Sequence, residues 1–291
     1  VEVSRGCRRG CRFCAAGYAC LPARFRKKAL LEKSFLKALE GHRKIGLLGT
    51  AVSDHPDLLA LCRFIRERGG EMAIGSLRLD KVEPELVRLL KEGGAETLSL
   101  APEAGSQRLR DLIAKDITEA QIFHAVEVLG SEGIANIRLY FMIGLPTEEE
   151  EDIEAIIQLT KKIKNLAGGQ KPGARSFKRI TLSVNQFIPK AGTPFQRYPL
   201  VNIDQVKKRV RHIAAALRQE PAIRLIHDQS KWNYIQALLA LGDRRVGKIL
   251  LALHHAGGNW SQTLKAAQVD PDFYVYRAKD RDEMLPWDFI T

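Results

Sequence analysis

The chain has 291 residues, enough to bury a large core as one barrel-sized domain or as two smaller ones. Hydrophobic residues make up 45%, ordinary for a globular protein, and no apolar run is long enough to span a bilayer. Five cysteines are too few and odd in number for a disulfide framework and suit a reducing cytoplasm, while the net charge of +12 fits a solvated basic surface, a nucleic-acid partner or counter-charge to a metal centre.

Val1-Glu2-Val3-Ser4 alternates like a strand, and Gly6 and Gly10 loosen the loop behind it. That loop carries Cys7, Cys11 and Cys14 at C-x3-C-x2-C spacing. Three thiolates on one loop can hold an iron–sulfur cluster while leaving one iron without a protein ligand. Zinc sites usually add a second Cys or His pair, and none follows; Cys20 and Cys62 stand alone. The spacing therefore points to an open metal site, against a bland reading of chance structural thiols. Arg5, Arg8, Arg9, Arg12, Arg24, Arg26, Lys27 and Lys28 surround it.

Residues 30–42 read as a helix and 45–50 as a buried strand. Ser53-Asp54-His55-Pro56 opens the next helix, which ends at Gly69-Gly70. Residues 71–77 read as a third strand, 83–91 as a helix and 95–100 as a fourth strand, with helical segments to 131. Residues 134–143 and 180–187 make the fifth and sixth strands. Thr147 and Glu150 have capping-box spacing, and the acidic run 148–152 suits a helix N-terminus, a stabilising role and not a metal site. Six β/α units predict a partial (β/α)6 TIM-type barrel over residues 1–200, with chemistry at the C-terminal strand ends.

From 201 the composition changes. A basic helix at 204–217, apolar helices at 234–241 and 246–255, and an acidic, aromatic end predict a helical C-terminal extension over 201–291. His254 and His255 are adjacent, so on a helix they point about 100° apart and read as packing and surface residues. Trp260 and Trp287 read as core anchors.

Strand ends supply the polar candidates. Gly49 and Thr50 follow strand two, where a plain strand-to-helix turn is the competing reading. Ser76 and Arg78 follow strand three on one face, and a carboxylate ligand would give a lumen arginine its reason. Glu103, Ser106 and Arg108 follow strand four, where a carboxylate at a helix N-terminus is sufficient on its own. Arg138, Tyr140 and Met142 alternate on strand five, which ends in Gly144-Leu145-Pro146. Asn185 and Phe187 share one face of strand six, and Gln186 the other.

C-x3-C-x2-C with Phe13 before the last cysteine resembles the signature of radical S-adenosylmethionine (radical SAM) enzymes. The ordered strand-end motifs extend the resemblance over most of the barrel. It implies that Cys7, Cys11 and Cys14 ligate a [4Fe–4S] cluster whose fourth iron is chelated by SAM. It also implies reductive cleavage to a 5′-deoxyadenosyl radical, with an electron donor such as flavodoxin or ferredoxin. The implied cofactor contacts are Phe13, Gly49, Thr50, Ser76, Arg78, Glu103, Ser106, Arg108, Arg138 and Gly144.

The runs Ala101-Pro102-Glu103-Ala104-Gly105-Ser106 and Pro189 to Pro194 resemble the branch near methylthiotransferases. Members of that branch often carry a cobalamin-binding domain ahead of the barrel, which would fit the abrupt start at Val1. The expected reaction is radical modification of a substrate, with methyl or methylthio transfer to RNA as one reading. Modification of a small molecule or peptide is the second, and a non-enzymatic iron–sulfur or zinc scaffold that binds RNA is the third. A second cysteine triad and a recognisable RNA-binding domain are both missing from the sequence.

Overall fold

Short apolar runs lie side by side in parallel, each alternating a large residue packed on helices with a smaller or polar one on the concave face. The computed structural model describes residues 1–167 and 176–290. Residues 1–3 run alongside β3 (Lys44–Leu47), where Val3 N–H donates to Leu48 O at 2.7 Å and Leu48 N–H to Val1 O at 2.8 Å. β3 pairs in parallel with β4 (Glu71–Ile74), and Leu77 bridges to Leu100 in β5 (Thr97–Glu103). β6 (Asn136–Ile143), β7 (Arg179–Gln186) and β8 (Ile223–His227) continue the arc, all parallel. A short antiparallel ribbon, β1 (Ser4–Arg5) with β2 (Arg24–Phe25), folds the cysteine loop back toward the first strand.

Helices α1 (Lys28–Leu39), α2 (Leu58–Glu67) and α3 (Pro84–Glu92) make the first crossovers. The short α4 (Gln107–Leu112) precedes α5 (Glu119–Ser131), and α6 (Glu150–Ala167) and α7 (Ile203–Leu217) make the later ones. Some of their boundaries follow local capping chemistry. Pro84 occupies the first turn of α3, and Thr118 and Gln121 form a reciprocal capping box on α5. The inward face of α2 is Leu58, Leu61, Cys62 and Ile65, a helical spacing. Those residues share one core with Ile137, Leu139, Phe141 and Ile143 of β6.

That burial settles which faces line the lumen. Arg138, Tyr140 and Met142 are only half-buried, opposite the buried set. Arg138 is in register with Ser99 and Thr181, and Met142 with Asn185, so these share the concave face. Gln186 points outward, is buried, and donates to Val201 O at 2.8 Å.

Five of the six expected strands are found, the first being reduced to a single bridge at Glu2 beside β3, and the arc is that of a partial barrel. The sheet nevertheless runs one strand further, because α7 returns the chain to lay β8 against β7. Residues 201–291 are therefore not wholly helical. Beyond β8, helices α8 (Ser230–Leu241), α9 (Val246–His255), α10 (Trp260–Lys265) and α11 (Pro271–Val275) enclose a second core of Leu200, Ala237, Leu238, Val246, Ile249, Tyr274 and Val275. Trp260 packs against that core, and Trp287 donates to Gln196 at 2.6 Å. Among the described residues no helix is long and apolar enough to cross a membrane.

One contact controls how α4 seats on α6. A Cβ on Gly105 would lie 2.2 Å from Ile156 N and 2.5 Å from the Ala155 carbonyl carbon. Backbone cannot yield there as a side-chain tip can. Gly105→Ala is expected to lower stability by roughly 1–3 kcal/mol through overpacking, read as a shifted denaturant midpoint with unchanged slope.

Candidate active site

The cysteine loop is pinned from several sides. Arg9 donates to both carboxylate oxygens of Asp54, at 3.0 and 2.8 Å, and lies 3.6 Å from Asp80. The Tyr18 hydroxyl donates to Gly10 O at 2.9 Å. Arg12 donates through its backbone N–H to Ile113 O and through its guanidinium to Leu112 O, both at 2.9 Å. Phe13 packs with Leu112 and Met142 on an apolar cluster of Ala104, Leu109, Ile113, Leu145, Phe187 and Phe195. These contacts seat the loop over the C-terminal ends of β5, β6 and β7.

Cys11 is buried, and Cys7 and Cys14 are half-buried. Cys14 N–H donates to Cys11 O at 3.0 Å, and Arg9 N–H to Cys7 Sγ at 3.4 Å. Burial pushes the Cys11 thiol up; the positive charges of Lys115 and Arg78 oppose it, while Cys14 and Cys7 add to it. Among the described residues no three His, Cys, Asp or Glu side chains are gathered at ligating distance of a common point. The donor set still fits a metal centre, since three sulfurs share one loop and the Lys115 and Arg78 cations act on Cys11.

Arg78 stands at this site. Its Nε donates to Asp80 at 2.9 Å, its backbone N–H to Ser53 Oγ at 3.1 Å, and its buried Nη2 has no partner. Glu103 ends β5 with φ +68° and accepts from Lys115 Nζ at 3.0 Å. Lys115 was not singled out by the sequence reading. Its only signal was a lysine in the loop between two helices, 12 residues past Glu103. Arg138 faces the lumen, and its buried Nε also lacks a partner.

Other candidates have different surroundings. Gly49 lies against the first strand, where a Cβ would come 2.3 Å from Ser4 Oγ. Thr50 and Ser76 are exposed. Ser106 caps α4 by accepting from Leu109 N–H and donates to Asp152 at 2.5 Å. Arg108 is exposed, pairs with Asp152 and donates to Thr147 O at 2.8 Å. The polar atoms of Ser106 and Arg108 thus join α4 to α6. Asp152 also accepts from Glu149 N–H at 2.8 Å, so it caps α6, where the spacing had suggested Thr147 and Glu150.

Gly144 sits at the β6 terminus with φ +81°, and its N–H donates to the Glu148 carboxylate. The same carboxylate accepts from Leu145 N–H at 3.1 Å and from Arg209 at 3.2 Å. Burial lifts Glu148 to about 7, against the opposing pull of Arg209 and both N–H groups. Its folded value lies above the usual 4.5, so its contribution to stability is fullest below about 4.5 and is lost as pH rises through 7. The stability of the wild-type chain relative to Glu148→Gln is expected to fall by about 2 kcal/mol between pH 5 and pH 8, measured by denaturant unfolding. A difference that does not change with pH would refute this.

The model of the Radical SAM superfamily matches residues 1–160, more than half of the chain. An uncharacterised protein of Methanocaldococcus jannaschii is 37% identical over 257 residues, covering 86% of this chain and 53% of its own length. A threonylcarbamoyladenosine tRNA methylthiotransferase of Aquifex aeolicus is 26% identical over 174 residues, covering 56% of this chain and 42% of its own length. The radical SAM methyltransferase TsrM of Kitasatospora setae, solved with cobalamin and a [4Fe–4S] cluster, superposes with a TM-score of 0.53 at 14% identity. That match covers 68% of this chain and 38% of TsrM and shows a shared fold. The chain spans about half the length, or less, of the curated relatives it matches. With a parallel β/α arc, a thiol loop at its C-terminal edge and a family match across both, the chain belongs to the radical SAM superfamily, whose members use a [4Fe–4S] cluster and SAM.

Proposed function

We propose that this chain is the catalytic barrel of a radical SAM enzyme, with Cys7, Cys11 and Cys14 as the cluster ligands. The observation that carries the reading is the grouping of these thiols with Lys115, Arg78 and the Glu103 carboxylate at one strand-end edge. When bound, the cluster and SAM supply a 5′-deoxyadenosyl radical after one-electron reduction. The chain's residues orient and shield that chemistry. Glu103 suits the ammonium of an amino acid and Lys115 its carboxylate. The unpartnered Arg78 Nη2 gives a second donor for an anionic group. Phe13, Met142 and Phe187 close the site with apolar surface that keeps water from a reactive radical. Arg138 remains a proposed cofactor contact on the lumen side, Gly49, Thr50, Ser76 and Gly144 remain proposed cofactor contacts at the strand ends, and Ser106 and Arg108 are proposed to support them through α6.

Methyl or methylthio transfer to RNA is the substrate reading that the Aquifex relative's name favours. Relatives about twice as long leave room for a cobalamin-binding unit beside the barrel, in the whole protein. A cytoplasmic setting and a separate one-electron donor complete the proposal. Chain reconstituted anaerobically should bind about four irons and, once reduced, convert SAM to 5′-deoxyadenosine. Zinc bound in place of iron, with SAM left intact, would favour the non-enzymatic scaffold. Filter binding with tRNA at two salt concentrations separates an RNA substrate from a small molecule or peptide.

A further inference from the structure

Strands β6, β7 and β8 contain no Asp or Glu, yet they carry Arg138, Arg179 and Arg224. Register puts all three on one patch of the concave face. Ser99, Arg138, Thr181 and Arg224 stand side by side across β5 to β8, and Arg179 precedes Thr181 by two residues, opposite Asn136. Residues in register on parallel strands present the same face, as do residues two apart on one strand. Neighbouring strands lie about 4.8 Å apart, so the backbones of Arg138 and Arg224 flank Thr181 at roughly 10 Å from each other.

Among the described residues none of the three guanidiniums has a hydrogen bond or an ion pair. Arg138 is half-buried and its Nε is withdrawn from water without an acceptor. Arg179 and Arg224 are exposed, one at the start of β7 and the other on the edge strand. Packing gives no reason for this set. The outward neighbours Ile137, Leu139, Ile180 and Leu182 make the core, and hydroxyl residues such as Ser99 and Thr181 are enough to fill the inward positions. Three arginines together repel one another, and a desolvated donor left unpaired costs stability. The acids of the thiol edge cannot neutralise them, since Glu103 is held by Lys115 and Asp80 by Arg78.

The missing partner is an anion, and the number of donors says which kind. A carboxylate fills one guanidinium fork. A phosphate has oxygens enough for two forks and for a hydroxyl donor between them. Arg138 lies five residues before Ile143, the last residue of β6, or about 16 Å of strand. A ligand reaching from the thiol edge to this patch is anchored at the end remote from its reacting atoms. Binding energy gained there serves orientation at the other end.

We propose that Arg138, Arg179, Arg224 and the Thr181 hydroxyl form a phosphate subsite for the substrate, deep in the lumen. The proposal rests on the radical SAM reading and adds a class of substrate, one that bears phosphate. Arg138 has five N–H donors, enough to meet a cofactor group above it and a phosphate beside it.

The test uses the anaerobically reconstituted chain, the variant Arg138→Gln/Arg224→Gln and the control Arg218→Gln/Arg244→Gln, which makes the same charge change at exposed positions. Binding of inorganic phosphate, adenosine 5′-monophosphate and a single-stranded oligoribonucleotide is measured by calorimetry at constant ionic strength. Phosphate and the monophosphate are expected to bind at least about tenfold more weakly to the first variant and within about twofold of wild type to the control. A loss confined to the oligoribonucleotide and phosphate would assign the subsite to an RNA strand; a loss confined to the monophosphate and phosphate, to a phosphorylated small molecule. Arg224→Lys, which keeps the charge without the fork, should lie between wild type and the double variant. Equal weakening in the control, or no phosphate binding by the wild type, would overturn the subsite. So would a double variant that binds phosphate normally and loses only SAM. A wild-type chain that forms no cluster but binds phosphate through these arginines would strike the radical SAM reading and leave the anion site standing.

Discussion

The Cys11→Ala chain, reconstituted anaerobically, is expected to bind less than about one iron and to yield no measurable 5′-deoxyadenosine, a loss of at least ~10³-fold. Two thiols on a loop cannot hold a cluster that already lacks a fourth protein ligand, so removing one takes the rest of the coordination with it. Cys11 is the most informative of the three because it is the buried one and feels the charges of Lys115 and Arg78. Cys62→Ala supplies the contrast. Cys62 is buried in α2, where desolvation pushes its thiol up to about 12, so it behaves as a small apolar group. That variant should keep full iron content and turnover while losing about 1 kcal/mol of stability to the cavity. Iron analysis, the cluster's absorbance and product chromatography on both variants decide the matter. A Cys11→Ala chain that retains cluster and product would remove Cys11 from the ligand set.

These residues were legible because their chemistry is local. The C-x3-C-x2-C spacing lies within eight residues, and no tertiary contact is needed to recognise it. Strands β3 to β7 were equally plain, since each buries one alternating face against helices. β8 was hidden for a physical reason. It is five residues long, half-buried at the sheet's edge, and carries Arg224 and His227, so its pattern is blunted. Ser106 and Arg108 are a different case. Their partner Asp152 lies more than 40 residues away, and only the seating of α4 on α6 brings it within reach. The basic residues near the cysteines formed one cluster in the sequence, but folding turned Arg9 inward and left its neighbours in solvent.

Lys115 is where the fold adds most, and its replacement should have the larger of the remaining effects. Ala114 and Asp116 on either side adopt φ +50° and +52°, a tight turn that aims the Lys115 side chain at Glu103. Both side chains are largely withdrawn from water, 11% and 15% exposed, so their charges are weakly screened. Lys115→Glu would set two carboxylates together beside three thiolates and is expected to weaken SAM binding by about 10²–10³-fold, roughly 3–4 kcal/mol. The cluster's midpoint potential should fall as well, because negative charge beside it disfavours the added electron. A role in fold alone would move neither quantity. Lys115→Arg, which restores the charge, should recover binding to within about tenfold, and Lys115→Gln should lie between. Binding is measured by anaerobic equilibrium dialysis and the potential by a spectroscopic redox titration. If Lys115→Gln folds, holds its cluster and binds SAM as the wild type does, the Glu103–Lys115 pair serves the turn and not the cofactor. The ammonium and carboxylate of SAM must then be held by other groups, with Arg78 and its unpartnered Nη2 the first candidate for the carboxylate.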